Sequence, residues 1–290
     1  MNKINILFAV IIFLGVNIAA SAGGPWTQKQ GKGYFKLSEW WTVFDQHFTD
    51  TGEIDPNVTT GVFNTTLYAE YGITDQFTAI LNAPFLSRNY MNNLRSATTN
   101  EIIVAGEAIN TVGDIDVGIR YGINNTPIPV AVSLLLGIPS GTPVAGTLDN
   151  LQTGDGEFNQ ILQVDAGTGF SIGKYNAYTS GYVGLNNRTN GFSDEFRYGV
   201  ELGINLLKEK LWLTSRINAV ESFKNGETAA TVTSTSLFAN NAEFVGIGIE
   251  ANYYITPKVG VSASTAGAFR GEIIAARPSY SVGVFLDLSK

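Results

Sequence analysis

The chain has no cysteine and only one histidine among its 290 residues. Without cysteine it has neither a disulfide framework nor a lipid-anchoring cysteine, and a cysteine nucleophile is excluded. The lone histidine, His47, leaves no metal cluster with ordinary His and Cys spacing. We therefore predict neither a metal site nor a cofactor.

Charge is scarce as well, because Asp, Glu, Lys and Arg make up 15% of the chain. Ordinary soluble domains carry about 25% charged residues. The net charge of -7 argues against a nucleic-acid partner, since phosphate binding calls for a basic stripe. Glycine, in contrast, is abundant at 32 residues. A soluble protein of this size would carry more charge, so the composition favours a membrane setting.

Only one long apolar run is present, at residues 4–16, just after Lys3. Ala20-Ser21-Ala22 follows with the small-x-small pattern of a signal-peptidase site. We predict a signal peptide over residues 1–22 and a single domain over residues 23–290 that begins at Gly23. An N-terminal anchor helix is the alternative, but the run is short for a bilayer span. Membrane-spanning structure would then consist of strands.

Many segments of about ten residues place an apolar side chain at every second position. Ile115, Val117, Ile119 and Tyr121, for example, alternate with polar or small residues. Successive side chains of a strand point to opposite faces, so one face meets lipid and the other water. The pattern predicts an all-β fold, a transmembrane antiparallel up-and-down barrel. Twelve strands are predicted near residues 32–44, 60–72, 76–86, 112–123, 129–139, 157–172, 176–186, 195–206, 210–220, 243–254, 258–269 and 278–288.

The connections between these strands alternate in length. Short ones are predicted at 73–75, 124–128, 173–175, 207–209 and 255–257. Mostly longer ones are predicted at 45–59, 87–111, 140–156, 187–194, 221–242 and 270–277. Short periplasmic turns and long outer loops produce this rhythm in outer-membrane barrels. A soluble sandwich is the alternative, but the apolar faces carry almost no charge and the opposite faces are rich in Gly, Ser and Asn.

The first and last strands have special features. The last contains Ser281-x-Gly283-x-x-Leu286-x-Leu288, which resembles the terminal motif that the barrel-assembly machinery recognises. Both faces of the first strand mix apolar and polar residues. A β-bulge near Trp40-Trp41 would turn Glu39 toward the lumen. We therefore expect the assembly machinery as a partner during insertion.

Four stretches together resemble the outer-membrane protein family named for the meta-pathway of phenol degradation. They are residues 71–77, the Gly113–Tyr121 strand, Gly137-Ile138-Pro139-Ser140-Gly141, and Thr153-Gly154-Asp155-Gly156. The resemblance implies a β-barrel in the bacterial outer membrane that acts as a channel for hydrophobic or aromatic compounds.

Charged residues of both signs occur at inward positions of the predicted strands. Opposed charges on such a wall either line a narrow path or form an internal network that stiffens the barrel, and both readings stay open. The pore-lining candidates are Glu70, Asp114, Asp116, Arg120, Asp165, Arg197, Glu201, Arg216 and Glu250.

Catalysis is disfavoured by the sequence. An outer-membrane phospholipase with a Ser–His pair also has twelve strands, yet no serine motif is in register with His47, which we place in the first long loop. The acidic residues of that loop could bind Ca²⁺, but no EF-hand spacing supports this, and a solvated loop is the better interpretation. We predict a protein without enzymatic activity.

The function predicted from sequence is passive passage of small molecules through a monomeric outer-membrane barrel. Hydrophobic or aromatic solutes are favoured by the resemblance alone. The alternative is a non-conducting scaffold or adhesion barrel that acts through its long loops. The expected partners are outer-membrane lipid, lipopolysaccharide, the barrel-assembly machinery and a small-molecule solute.

Overall fold

The computed structural model describes residues 23–123, 128–227 and 237–289. The predicted leader over residues 1–22 lies outside the described residues, as do most of the connection 124–128 and part of 221–242. Twelve long strands make up the wall. They are β1 Gly33–Phe48, β2 Ile54–Gly72, β3 Phe77–Met91, β4 Ile115–Ile123, β5 Val130–Ile138, β6 Asn159–Ile172, β7 Tyr175–Arg188, β8 Glu195–Leu206, β9 Leu211–Ser222, β10 Glu243–Tyr254, β11 Val259–Glu272 and β12 Ser279–Asp287.

The strands form a closed antiparallel barrel. Each strand pairs with its neighbour in sequence, and β1 also pairs with β12, so that Leu37 lies opposite Leu67 on one side and Val284 on the other. Closure leaves no unpaired sheet edge, as a lipid environment requires. The predicted fold class and strand number are confirmed.

The two faces of the wall differ in exposure as alternation predicts. Ile247 and Ile249 on β10 are 48% and 56% exposed, whereas Glu250 is 8% exposed. The apolar side chains therefore point outward and the polar ones inward. No helix among the described residues is long and apolar enough to cross a membrane.

The predicted bulge near Trp40-Trp41 is wrong. The β1–β2 register runs without a shift from Gly33 to Phe44, and the irregularity lies between Phe44 and Gln46 instead. Glu39 consequently stays on the outward face with Leu37, where its carboxylate accepts a 2.6 Å hydrogen bond from the Thr65 hydroxyl. A hydroxyl on the adjacent strand satisfies the carboxylate without any change of register.

Several strands are longer than predicted at the end opposite the short turns. β1 and β2 extend until only residues 49–53 connect them, so His47 lies in β1 and not in a loop. Short strands add to the same end, at Leu94–Arg95, Ile102–Val104, Glu107–Thr111 and Ile274–Ala275. The other end has the tight turns 73–76, 173–174, 207–210 and 255–258. Tight turns are periplasmic in outer-membrane barrels, so we call this the periplasmic end.

Candidate functional site: a polar chamber inside the barrel

A chain of ion pairs connects β8, β9, β10 and β1 inside the barrel. Arg216 on β9 contacts Glu201 on β8 and Glu250 on β10, each at 3.0 Å. Lys36 on β1 contacts Glu250 at 2.7 Å. Tyr178 donates a hydrogen bond to Glu201. Each carboxylate thus has a cationic partner, as polar groups away from bulk water require.

The register of the strands accounts for only some of these ion pairs. Arg216 and Glu201 are direct cross-strand partners of β9 and β8. Lys36 and Glu250 are 214 residues apart, and their strands β1 and β10 are separated by β11 and β12. Their contact therefore reaches over two strands, which is possible because the barrel curves these walls toward each other.

The ion pairs line a chamber of about 340 Å³. Three tyrosines also contribute to its wall, namely Tyr34, Tyr68 and Tyr178. Asn252 is 8% exposed and lines the same space, and its Oδ1 has no hydrogen bond to any described residue. The chamber thus combines ring faces, balanced charge and one unused acceptor.

An aromatic layer lies between the chamber and the periplasmic end. Tyr34 stacks on Phe285 at 5.6 Å between ring centroids, and Tyr254 meets Phe285 edge-on at 4.9 Å. Tyr178 and Trp212 lie 5.5 Å apart. Because most of these residues come from β9 to β12 and β1, the layer fills that half of the barrel end.

The other half of the periplasmic end is filled by residues 23–32, which precede β1. This N-terminal segment enters the barrel interior, and Gly23 lines the chamber. The Trp26 ring contacts Tyr178 on β7 edge-on at 5.4 Å. Its carbonyl accepts a hydrogen bond from Arg120 on β4 at 3.3 Å. The segment therefore spans the space between β4 and β7.

A second set of contacts holds the N-terminal segment against β2 and β3. The Gln28 amide N–H donates to the Thr78 hydroxyl at 2.8 Å, and its side chain donates to Glu70 at 3.1 Å. Glu70 is completely buried and pairs with Arg120 at 3.0 Å. Gly72 permits the approach, since a Cβ there would lie 2.1 Å from the Lys29 carbonyl oxygen.

A turn outside the barrel anchors the same segment. Asp75 accepts a hydrogen bond from the Gln30 amide at 3.0 Å, and Lys29 lies 3.5 Å from its carboxylate. These two interactions, the first being the larger, hold the pKa of Asp75 below its ordinary value of 3.8. The N–H bond and the ammonium both favour the charged carboxylate.

At the opposite end of the barrel, residues 139–158 fold onto the inner wall. Asp114, in the break before β4, accepts amide hydrogen bonds from Gly141 at 2.8 Å and Asp155 at 2.9 Å. Asn89 on β3 donates to the Gln152 carbonyl at 2.8 Å. Three of the four family-like stretches thus meet at Asp114, where a Cβ on Gly154 would lie 2.2 Å from its Oδ1.

Arg188 at the end of β7 fastens this inner loop, as we call residues 139–158, to the wall. Its guanidinium contacts Glu157 at 2.7 Å, Glu195 at 2.8 Å and Asp155 at 3.2 Å. Its side chain is only 5% exposed. The Phe192 ring lies 4.5 Å from the guanidinium carbon. Such a planar donor fork suits several carboxylates at once.

The sequence-predicted candidates therefore fall into separate groups. Glu201, Arg216 and Glu250 line the chamber; Glu70 and Arg120 hold the N-terminal segment; Asp114 holds the inner loop. The remaining candidates are held within the wall, with Asp116 accepting from Asn82, Asp165 accepting from Gln163, and Arg197 paired with Glu195.

Sequence reasoning missed two cations and the N-terminal segment. Lys36 shares the inward face of β1 with Tyr34 and Ser38, but the outward face carries Glu39, so alternation alone does not show which face of this strand is inward. Arg188 fell in a predicted loop because β7 runs two residues further than expected. Among the described residues, no group of three or more His, Cys, Asp or Glu could hold a metal ion.

Comparisons with known proteins support the fold. No protein-family model matches the chain, and no curated protein matches it in sequence. A solved outer membrane channel from Pseudomonas putida F1 is similar at a TM-score of 0.57 and 13% identity, covering 92% of this chain and 99% of that one. The β domain of the Bordetella autotransporter BrkA is similar at a TM-score of 0.50 and 14% identity, covering 88% and 99%.

These likenesses establish the fold, a β-barrel of the outer-membrane type. They do not extend to the phenol-degradation resemblance, which no match supports beyond the shared fold.

The prediction of a protein without enzymatic activity is corrected by the same comparisons. The matching barrels include LpxR from Salmonella typhimurium, a deacylase, at 10% identity and a TM-score of 0.47 over 88% of this chain and 99% of that one. At this distance only the barrel fold is shared. The fold therefore gives no ground for excluding catalysis.

Proposed function

We propose that the protein is a passive outer-membrane channel for small molecules. The observation that supports this best is the chamber of about 340 Å³ with its chain of ion pairs across the barrel interior. Charged side chains in a water-filled pore with low-dielectric walls govern which solutes enter. A scaffold that acts only through its loops has no need of such a chamber.

The chamber wall narrows the class of solute that we propose. Tyr34, Tyr68 and Tyr178 offer ring faces, which fits the aromatic compounds suggested by the resemblance. Lys36, Arg216, Glu201 and Glu250 balance in charge and would disfavour a purely hydrophobic solute, because it would strip water from these groups without replacing it. A small aromatic solute that also carries hydrogen-bonding groups matches both features.

Planar bilayers and liposomes test this proposal. Purified protein should show conductance, and swelling of proteoliposomes should be faster with phenylalanine than with glucose. Arg216→Gln should shift ion selectivity toward cations, because Glu201 and Glu250 lose their shared cation. Arg277→Gln is the control, since its partner Asp45 lies in an exposed pair at the outer end. Absence of both conductance and uptake would favour the scaffold, whereas unchanged selectivity in a conducting channel would reject only these residues.

We also propose that the mature chain begins at Gly23, inserts through the barrel-assembly machinery and works as a monomer. The small-x-small pattern Ala20-Ser21-Ala22 directly before Gly23 supports the first point. N-terminal sequencing of protein from outer membranes should start at Gly23. Recovery of a chain that still carries Met1 would contradict it, and light scattering in detergent would reveal a stable oligomer.

A further inference from the structure

The periplasmic end of the barrel contains a binding site that this chain's own N-terminal segment occupies. We propose that residues 24–30 form a tethered plug in this site and that solute leaves the chamber only when the plug is displaced. The proposal rests on the channel function proposed above. The occupant is fixed by direct contacts, because every group of the site described below touches this segment.

The site recognises the segment by matched polar groups. The Arg120 guanidinium donates to the Trp26 carbonyl, and the buried Glu70 carboxylate accepts from the Gln28 side chain at 3.1 Å. Thr78, fully buried, accepts from the Gln28 amide at 2.8 Å. Gln28 itself is only 6% exposed. Buried polar side chains in native proteins are hydrogen-bonded, so the contact between Gln28 and Glu70 is part of the folded structure.

The geometry also favours release over permanent closure. The segment contacts the inner faces of β2, β3, β4 and β7 but joins no ladder inside the barrel, and its only strand-like bonds are those of Gly31 and Lys32 with Gly72 at the rim. In the mature chain that we propose to begin at Gly23, it is tethered to the wall at one end only, at Gly33. When it leaves, Glu70 and Arg120 still pair with each other at 3.0 Å. The vacated wall therefore keeps its charges satisfied in the open state.

The path that the plug closes lies beside the aromatic layer. That layer fills the side formed by β9 to β12 and β1, and Trp26 extends it from Tyr178 toward Arg120 on β4. Removal of Trp26 and Gln28 would consequently open the barrel end on the side of β2, β3 and β4. The chamber, lined by Gly23, lies directly behind this segment.

An engineered disulfide gives a reversible test, because the chain has no cysteine of its own. Gln28→Cys combined with Thr78→Cys places two thiols on residues that are already in contact, because the main-chain amide of Gln28 donates to the Thr78 hydroxyl at 2.8 Å. Residues this close can be joined by a disulfide. Oxidation should lower the open fraction at least about tenfold, since a covalent tether raises the local concentration of the docked plug. Reduction should restore it. The two single-cysteine variants should not respond to oxidant.

Deletion of residues 24–28 provides the complementary measurement. This variant should conduct more than the full chain in planar bilayers and take up phenylalanine faster, with unchanged circular dichroism showing that the barrel is folded. Equal conductance of the deletion and the full chain, together with no redox response of the double-cysteine variant, would overturn the plug while the channel stands. If no variant, the deletion included, showed conductance or uptake, both the channel and the plug would be rejected.

Discussion

Two segments fill the barrel interior, and they are held in opposite ways. The inner loop is joined to the wall at both ends, at Ile138 and Asn159, and is fastened by a buried guanidinium that contacts three carboxylates. In the mature chain proposed above, the N-terminal segment is joined to the wall at one end, and it is held mostly by single hydrogen bonds to neutral or already paired groups. One attachment resists removal and the other permits it.

The periplasmic end of the barrel is the end that can change at the lower cost in free energy. Breaking a buried ion pair leaves charges without partners, which is costly, whereas undocking the N-terminal segment leaves the Glu70–Arg120 pair intact. A segment with one free end also gains more conformational entropy on release than one fixed at both ends. We therefore expect the N-terminal segment to move during gating and the inner loop to stay in place.

The largest expected effect concerns Arg188. Arg188→Gln should cost the inner loop about 3–5 kcal/mol of local stability, because the buried Glu157 then loses its cationic partner, whereas Glu195 keeps Arg197. Hydrogen exchange of amides in residues 139–158 should accelerate accordingly, while exchange in the N-terminal segment stays unchanged.

The control for this prediction is the exposed pair of Arg277 and Asp45, whose side chains are 43% and 52% exposed. Arg277→Gln should change stability by less than about 1 kcal/mol. If both substitutions had equally small effects, the inner loop would not depend on its ion pairs. The claim that it is held more firmly than the N-terminal segment would then be wrong.

Alanine substitutions at two glycines, one beside each segment, compare the N-terminal segment and the inner loop by crowding their contacts with the wall. In Gly72→Ala the new Cβ would meet the Lys29 carbonyl, and in Gly154→Ala it would meet Asp114. Overpacking of this kind costs about 1–3 kcal/mol. We expect Gly72→Ala to displace the plug and raise conductance without altering loop protection, and Gly154→Ala to loosen the inner loop against protease. A fall in conductance with Gly72→Ala would contradict gating by this segment.

Strand number, closure and the outward face followed from the sequence because lipid imposes a strict period of two on strands such as β10. The same rule hid Lys36, since β1 carries both Lys36 and Glu39 and its faces look alike until the partners Glu250 and Thr65 are known. Periodicity contains no information about contacts between strands that are not neighbours.

The site was predicted as a set of residue types but not as an arrangement. Glu70 and Arg120 were recognised as inward charges, yet their role depends on residues 24–30, which have no period and no motif that marks a docked segment. Asp114 likewise acts through backbone amides of Gly141 and Asp155, and a sequence shows no direct sign of main-chain donors. The sequence therefore does not predict how these irregular segments fold against the barrel wall.

A smaller effect is expected from a single side chain of the plug. Gln28→Ala removes one donor to Glu70, which keeps its bonds from Arg120 and Tyr68, so docking should weaken by about 1 kcal/mol, or roughly fivefold in open fraction. Gln30→Ala is the matched control, because Gln30 contacts Asp75 through its backbone amide, which the substitution retains. Equal open fractions in single-channel records of the two variants would show that the Gln28 side chain does not hold the plug.

The smallest effect is expected from acid. Docking lowers the pKa of Asp75 below 3.8 through the Gln30 amide and Lys29, so the undocked segment leaves a carboxylate with the higher pKa. This contribution to docking is complete above pH 3.8 and is lost as the pH falls through the lowered pKa of the docked state. The open fraction should therefore rise modestly when the pH is lowered from about 6 to about 3, and less so in Asp75→Asn, which cannot titrate. Because Asp75 is exposed, salt should weaken the effect further. An identical acid response in Asp75→Asn would assign it to other carboxylates and remove this turn from the gate.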